Sequence, residues 1–178
     1  MFTWLAKRSQ TKRKARDLYG AVVAQARNPV FYADLGVADT PEGRYELIAL
    51  HLILALERLG QSDVADENLR RETLETFVTD LDDAMREFGV GHPTVPKRVK
   101  RAAGGVYARN EKYRAALAQS GNADLEHALA ENVYQAQKDM SAQRLAAYVR
   151  AAVTHLQAQT ADTLRSGVIT FPTAEQHP

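Results

Sequence analysis

The sequence predicts an all-α protein, a single domain of six or seven helices around one buried central helix at about residues 41–59. Apolar residues recur at spacings of three and four along most of the chain, and no stretch sustains the alternation of a β-strand. The segment 39–60, DTPEGRYELIALHLILALERLG, is apolar around nearly its whole circumference. A helix of that kind must be buried on most sides, so we expect the other helices to surround it.

Clear start and stop signals bound the central helix. Thr40 or Asp39 can cap its first free N–H groups, and Pro41 suits the first helical position, where no N–H is needed. Gly60 offers a stop at the other end. A membrane span needs about 20 mostly apolar residues. Polar residues interrupt this run too often for a span, namely Arg44, Glu46, His51, Glu57 and Arg58.

Composition limits the protein class. The chain has 178 residues, a formal net charge of +1 and no cysteine. This length suits one domain. The missing cysteines exclude disulfides, thiolate metal sites and cysteine nucleophiles. An apolar start precedes the first basic cluster, the reverse of a secretory signal, so we expect none.

The remaining helices follow from the same period. We predict one helix over 1–28, ended by Asn28-Pro29, and later helices over 66–88, 94–117, 123–137 and 141–157. Gly104-Gly105, inside the third of these five, indicates a kink or the close approach of another helix. We divide the chain into a basic N-terminal segment (1–16), a helical domain (17–157) and a C-terminal tail (158–178) that packs through Phe171.

No catalytic or metal-binding constellation is apparent, so we expect no enzyme activity, no catalytic residue, no metal and no cofactor. The five histidines are scattered, and no glycine-rich phosphate loop is present. One enzyme hypothesis stays open, a helical enzyme acting on an isoprenoid or lipid, with Arg44, His51, Asp80 and Asp82 in one pocket. The competing interpretation makes His51 a core histidine bonded to the backbone. It makes Arg44 a partner of Glu46 or Glu87 in an ion pair.

Two basic segments are the main functional signal from the residues themselves. The first contains Lys7, Arg8, Lys12, Arg13, Lys14 and Arg16, and the second contains Lys97, Arg98, Lys100 and Arg101. Such segments can lie on an anionic membrane surface or contact ribosomal RNA through its phosphates. A nucleic-acid-binding module is therefore a second alternative function, although the low net charge leads us to expect no DNA binding. Residues 1–16 also fit a mitochondrial targeting segment.

Several fragments over residues 17–118 resemble the ubiquinol–cytochrome c chaperone family, the assembly factors of the cytochrome bc1 complex. The most specific are Asp39-Thr40-Pro41-Glu42-Gly43-Arg44 and Met85-Arg86-Glu87-Phe88-Gly89-Val90-Gly91. Further matching residues, in order, are Leu18-Tyr19, residues 26–32 (ARNPVFY), His51, residues 80–82 (DLD), residues 95–97 (VPK), Tyr107, Arg109 and Tyr113. The chain departs from the pattern at His92-Pro93 and at Ala108.

The resemblance implies a non-enzymatic chaperone whose client is cytochrome b or another bc1 subunit. It implies a small partner protein or the ribosome as further partners. The short N-terminus resembles bacterial members, which implies a cytoplasmic, peripheral location at the inner membrane. We predict contact with the client or a partner at Phe31, Tyr32, Arg44, Arg86, Glu87 and Gly89. We predict contact with the membrane or ribosome at the two basic segments.

Overall fold

A computed structural model describes the backbone of residues 2–61, 63–87, 95–135 and 140–174, and the side chains of those ranges from residue 7 onward. The predicted class is confirmed, since these residues form helices and no strand. Six helices have ten residues or more, and two are short. They are α1 (Phe2–Ala26), α2 (Val30–Ala33), α3 (Pro41–Leu59), α4 (Glu67–Glu87), α5 (Val95–Leu117), α6 (Ala123–Asn132), α7 (Met140–Ala158) and α8 (Ala161–Arg165).

Helix α3 is the predicted central helix. Thr40 is its N-cap, and the Thr40 hydroxyl accepts a hydrogen bond from the Gly43 N–H at 3.1 Å. Leu47, Leu50 and Leu52 are wholly inaccessible to solvent. Helices α1, α4, α5 and α7 all pack on α3. This apolar burial is the main favourable term that holds the bundle together.

The helices α1, α3 and α4 alternate in direction. The end of α1 lies beside the start of α3. Tyr32 donates to the Ala26 carbonyl at the end of α1 at 2.8 Å, and it is close enough to Arg44 at the start of α3 to interact with its charge. Phe77 of α4 packs near Tyr45 at the start of α3, with ring centroids 6.4 Å apart, and α4 runs on to Glu87. We call this end of the bundle, where α3 starts and α4 ends, the hub end.

The C-terminal third packs into the same body. Tyr134 donates to the Leu35 carbonyl at 2.7 Å, and α7 lies along α3 through Tyr148. Helix α1 crosses the predicted boundary at residue 16 without a break, with Ala15 fully buried. The predicted tail contains α8, and Phe171 packs on the core as expected.

Candidate functional site

The start of α3 depends on Gly43. A Cβ atom at this position would lie 2.0 Å from the Ala38 carbonyl oxygen, far inside van der Waals contact. Only glycine therefore allows residues 37–38 to turn back across the first helical turn. This turn sets where the neighbouring side chains point, with Arg44 outward and Tyr45 and Glu46 toward α5.

Arg44 pairs with Asp39. The Arg44 Nε atom lies 2.6 Å from Asp39 Oδ1, and both side chains are more than half exposed. The hydrogen bond from Arg44 lowers the pKa of Asp39. The predicted pairing of Arg44 with Glu46 or Glu87 is wrong because Glu46 faces α5 and Asp39 stands beside Arg44. The Asp39–Arg44 pair thus lies on the open surface of the hub end.

Glu46 joins α3 to α5 through a two-point ion pair. Arg109 donates from Nε to Glu46 Oε2 at 2.7 Å and from Nη2 to Oε1 at 2.5 Å. The side chains are only 20% and 12% exposed, so water competes little for this pair. Burial raises the pKa of Glu46, although the hydrogen bond from Arg109 opposes this effect.

Tyr45 and Gly105 complete this junction. Tyr45 donates to the Ala102 carbonyl at 2.8 Å, and the Arg109 guanidinium carbon lies 5.5 Å from the centre of the Tyr45 ring. A Cβ atom at Gly105 would meet Arg109 Nη1 at 2.6 Å. Gly105 therefore leaves room for the Arg109 guanidinium and the Tyr45 hydroxyl at the surface of α5. The helix runs through the glycine pair from Val95 to Leu117 without interruption.

Two grooves flank α5, and we call them the α5 grooves. The smaller has a volume of about 120 Å³, and apolar side chains that include Ile53, Leu74 and Tyr107 line it together with charged side chains at the start of α4. The larger has a volume of about 250 Å³, and its apolar lining includes Ile53, Leu117 and Val153. Asn110 lines both grooves and donates to Glu57 Oε1 at 2.9 Å, so this bridge stands where they meet.

Tyr107 is the most exposed aromatic residue described at these grooves. Its side chain is 60% exposed at the rim of the smaller groove. Gly104 lies one turn before Tyr107 on α5, and a Cβ atom built at Gly104 would meet no atom within 4 Å. An exposed aromatic ring beside an apolar groove is a feature of surfaces that bind another polypeptide.

The predicted client-binding residues differ in accessibility. The predicted contact of Phe31 with a client or partner is corrected, because Phe31 is fully buried. Its ring packs against His51 and Tyr148, with ring centroids 5.3 and 5.0 Å away. Tyr32 is half-buried at the hub end. Arg86 pairs with Asp82 at 2.6 Å, and Glu87 is exposed. Gly89 lies outside the described residues.

The two basic segments lie at opposite ends of the bundle. Lys14 lies against Gly167, close to α8, and Arg165 of α8 donates to the Val64 carbonyl just beyond the end of α3. The second segment ends next to Ala102, which accepts from Tyr45 at the start of α3. Helix α3 has 19 residues, about 28 Å at 1.5 Å per residue. The segments therefore do not form one continuous basic surface.

Part of the first basic segment faces acidic side chains. Lys12 and Arg16 line an open groove of about 600 Å³ between α1 and α4. The acidic residues of α4 that line the same groove are Glu72, Glu75, Asp80 and Asp83. Lys7, Arg8 and Arg13 are exposed and do not line this groove.

The four residues of the enzyme hypothesis do not converge. His51 is fully buried; its Nδ1 lies 2.7 Å from the Leu47 carbonyl and its Nε2 lies 2.8 Å from the Tyr148 hydroxyl. Asp80 instead accepts from Tyr19, and Asp82 pairs with Arg86. His51 is thus a core histidine, and this constellation forms no pocket. Among the residues that the structure describes, no group of three His, Cys, Asp or Glu side chains could hold a metal ion.

No helix within the described ranges is both long and apolar enough to cross a membrane. The central helix comes nearest in composition, but His51, Glu57 and Arg58 interrupt it. Its apolar surface is covered by neighbouring helices. The apolar character of α3 is therefore explained by the core of this domain.

Sequence reasoning missed the Glu46–Arg109 pair and the α5 grooves. Glu46 and Arg109 are 63 residues apart, and no local spacing connects them. The sequence signal for this junction is weak. It consists of two internal glycines one turn before an arginine, on a helix otherwise rich in basic residues. Arg109 and Tyr107 entered only through the resemblance.

Comparisons with known proteins agree with this architecture. The model of the family described as "Ubiquinol-cytochrome C chaperone" matches residues 33–171. This match starts later than the expected 17 and extends beyond 118 through α6, α7 and α8. A solved structure, the crystal structure of the Cbp3 homolog from Brucella abortus, is 34% identical, with all of both chains covered and a TM-score of 0.88. No curated protein matches the chain.

Proposed function

The chain belongs to the ubiquinol–cytochrome C chaperone family, and we propose that it is a non-enzymatic assembly factor for the cytochrome bc1 complex. Its client would be newly made cytochrome b or another bc1 subunit. The family match supports this proposal because it covers most of the chain. The observation that carries the proposed mechanism is the pair of α5 grooves, which meet over Ile53 of the central helix.

The α5 grooves suit an apolar client. Their linings are mostly apolar, and Tyr107 stands at the rim with 60% of its surface exposed. An unassembled membrane subunit has apolar side chains whose contact with water is unfavourable by roughly 25 cal/mol per Å². Small grooves can cover a few such side chains at a time, which suits a client that must later be released.

Two polar surfaces would locate the chaperone. We assign the first basic segment, at the start of α1, to the anionic surface of the inner membrane, where the protein would be peripheral on the cytoplasmic side. We assign the hub end to a partner, either a small partner protein or the ribosome. Its exposed residues include Arg44, Arg86 and Glu87, with the second basic segment on α5.

Deletion of the gene in its own organism tests the proposed function. The levels of the assembled bc1 complex and of cytochrome b should both fall, and a plasmid copy of the gene should restore them. The transcript of cytochrome b should not change, because the proposed action follows translation. Normal bc1 and cytochrome b levels in the deletion strain would refute the proposal.

A further inference from the structure

The segment 167–172 runs along α1 as an extended chain. At one end, a Cβ atom on Gly167 would lie 2.9 Å from the Lys14 Cα atom. At the other end, Gln25 donates to the Pro172 carbonyl at 3.1 Å. Five residues of extended chain span about 16 Å at 3.3 Å each. Eleven residues of helix, from Lys14 to Gln25, rise by about the same distance.

Two glutamine side chains hold the backbone of this segment, one just after the end of α7 and one on α1. Gln159 donates from Nε2 to the Thr170 carbonyl and accepts from the Thr170 N–H, both at 2.9 Å. Gln25 binds the Pro172 carbonyl from the side of α1. A primary amide that satisfies both backbone groups of one residue recognises main chain, whatever the side chain. These main-chain contacts constrain the bound sequence little, and the one polar side-chain contact at this residue joins the Thr170 hydroxyl to His155 Nε2 at 3.0 Å.

One side chain of the segment enters an aromatic site. The Phe171 ring meets the edge of His51 at a centroid distance of 5.2 Å and an interplanar angle of 85°. Phe31 and Tyr148 surround the same histidine. Edge-to-face packing of this kind favours an aromatic ring over an aliphatic chain. The groove between α1 and α7 thus combines main-chain recognition with one aromatic site and one buried aliphatic site, which Ile169 fills.

We propose that this groove is a binding site for an extended polypeptide, which residues 168–172 occupy in cis. An unfolded segment that carries an aromatic side chain would displace them and make the same contacts. This inference rests on the proposed function only in taking the client as the source of that segment. The groove is separate from the α5 grooves, and the cis segment would keep it closed until a client is present.

The test uses the full chain and a dye-labelled peptide with the sequence of residues 168–173, Val-Ile-Thr-Phe-Pro-Thr. Fluorescence anisotropy measures its binding to the wild-type chain and to Thr170→Pro and Phe171→Ala variants. Both variants weaken the binding of residues 168–172 to the groove and leave the groove itself unchanged. The first variant lacks the N–H that donates to Gln159, and the second lacks the ring that packs on His51. Far-UV circular dichroism confirms that each variant is folded.

The peptide should bind each variant roughly ten-fold or more tightly than the wild-type chain, since the cis segment no longer competes. Replacing phenylalanine by alanine in the peptide should abolish binding. Adding Gln159→Ala to the chain should weaken it. Absence of binding to the folded variants would overturn the proposal and leave the segment a purely structural part of the domain.

A second measurement remains decisive if the variants do not fold. The chain has no cysteine, so a dye on Val168→Cys reports from one position, which is 51% exposed in the native chain. Excess peptide should change its emission as residue 168 leaves the groove. An unchanged signal at saturating peptide would contradict the proposal. Both measurements use purified protein, so they can fail while the gene deletion still lowers bc1 levels, and the reverse also holds.

Discussion

Arg109 of α5 and Glu46 of α3 form a two-point ion pair, at 2.7 and 2.5 Å, in a junction that water barely reaches. Glu46 ends the segment 39–46, whose first six residues carry part of the resemblance to the family. The same segment supplies Gly43 for the turn and Tyr45 for a second bond to α5. The polar start of the central helix therefore fixes the position of α5, and with it the α5 grooves.

Breaking the Glu46–Arg109 pair should destabilise the protein. Arg109→Met leaves the Glu46 carboxylate largely buried without its partner, and we expect a loss of about 2 kcal/mol in the free energy of unfolding. Urea denaturation followed by circular dichroism measures it. The control is Arg71→Met at the exposed Arg71–Glu75 pair, 3.7 Å apart, which should change stability by less than about 0.5 kcal/mol. Equal effects of the two variants would contradict this account.

Two glycine-to-alanine substitutions should act in opposite directions. Gly43→Ala forces a Cβ against the Ala38 carbonyl, and we expect a loss of about 3 kcal/mol. Gly104→Ala meets nothing within 4 Å on an exposed helical surface and should stabilise by up to about 1 kcal/mol. Thermal unfolding of both variants checks the pair. A neutral Gly43→Ala would show that the turn before α3 can relax.

Acid should destabilise the fold through His51. The Leu47 carbonyl can only accept, so His51 Nδ1 carries the proton and Nε2 accepts from the Tyr148 hydroxyl. Burial lowers the pKa of His51 to about 4, whereas the unfolded chain has a value near 6.5. Between these values the unfolded state binds more protons, so stability is complete above about pH 6.5 and falls as the pH decreases toward 4.

The expected contribution of this one group is about 3 kcal/mol over that range. Urea unfolding at several pH values measures the slope. A His51→Gln variant, which has no titrating group at this position, should lose this part of the slope even though its stability at pH 7 is lower. An unchanged slope in that variant would assign the pH dependence to carboxylates elsewhere.

Much of the fold could be predicted from local signals. The bounds of α3 could be predicted because Thr40, Pro41 and Gly60 are local signals, each within one turn of a helix end, for where a helix starts or stops. The end of α6 was not visible. The helical pattern continues to residue 137, but Val133 and Tyr134 leave the helix to become buried, and Tyr134 binds the Leu35 carbonyl 99 residues away. Such long-range contacts leave no periodic trace in the sequence.

The candidate site was harder to predict than the fold. Arg44 belonged to the recognisable segment, yet its partner is the adjacent Asp39. The sequence predicts that Phe31 contacts the client or a partner, but Phe31 is a core residue beside His51. The grooves depend on how α5 packs against α3, α4 and α7, a tertiary feature that helix periodicity does not determine.

The first basic segment should control membrane association. Substitution tests this better than deletion of residues 1–16, since Ala15 is fully buried and Lys14 lies against Gly167. Glutamine at Lys7, Arg8 and Arg13 together should reduce binding to vesicles with anionic lipid by roughly 100-fold, at about 1 kcal/mol per cation.

The matched control places glutamine at Lys97, Lys100 and Arg101, with the same change in net charge at the other end of the bundle. This variant should bind the vesicles nearly as the wild type does, because a flat surface that engages one end does not reach the other. Vesicle co-sedimentation at low and physiological salt measures both. An equal loss in the two variants would mean that net charge, and not the position of the cations, determines the association.

Site-specific photo-crosslinking from the α5 grooves, in cells that are synthesising cytochrome b, tests most directly whether these grooves bind the client. A p-benzoylphenylalanine residue at Tyr107, at the rim of the smaller groove, is compared with one at the exposed Ala24 of α1. We expect a crosslink to cytochrome b or another bc1 subunit from position 107 and none from position 24. A client crosslink from position 24 but not from position 107 would contradict the assignment of the client site, and the absence of any bc1 subunit among the crosslinked products would contradict the function.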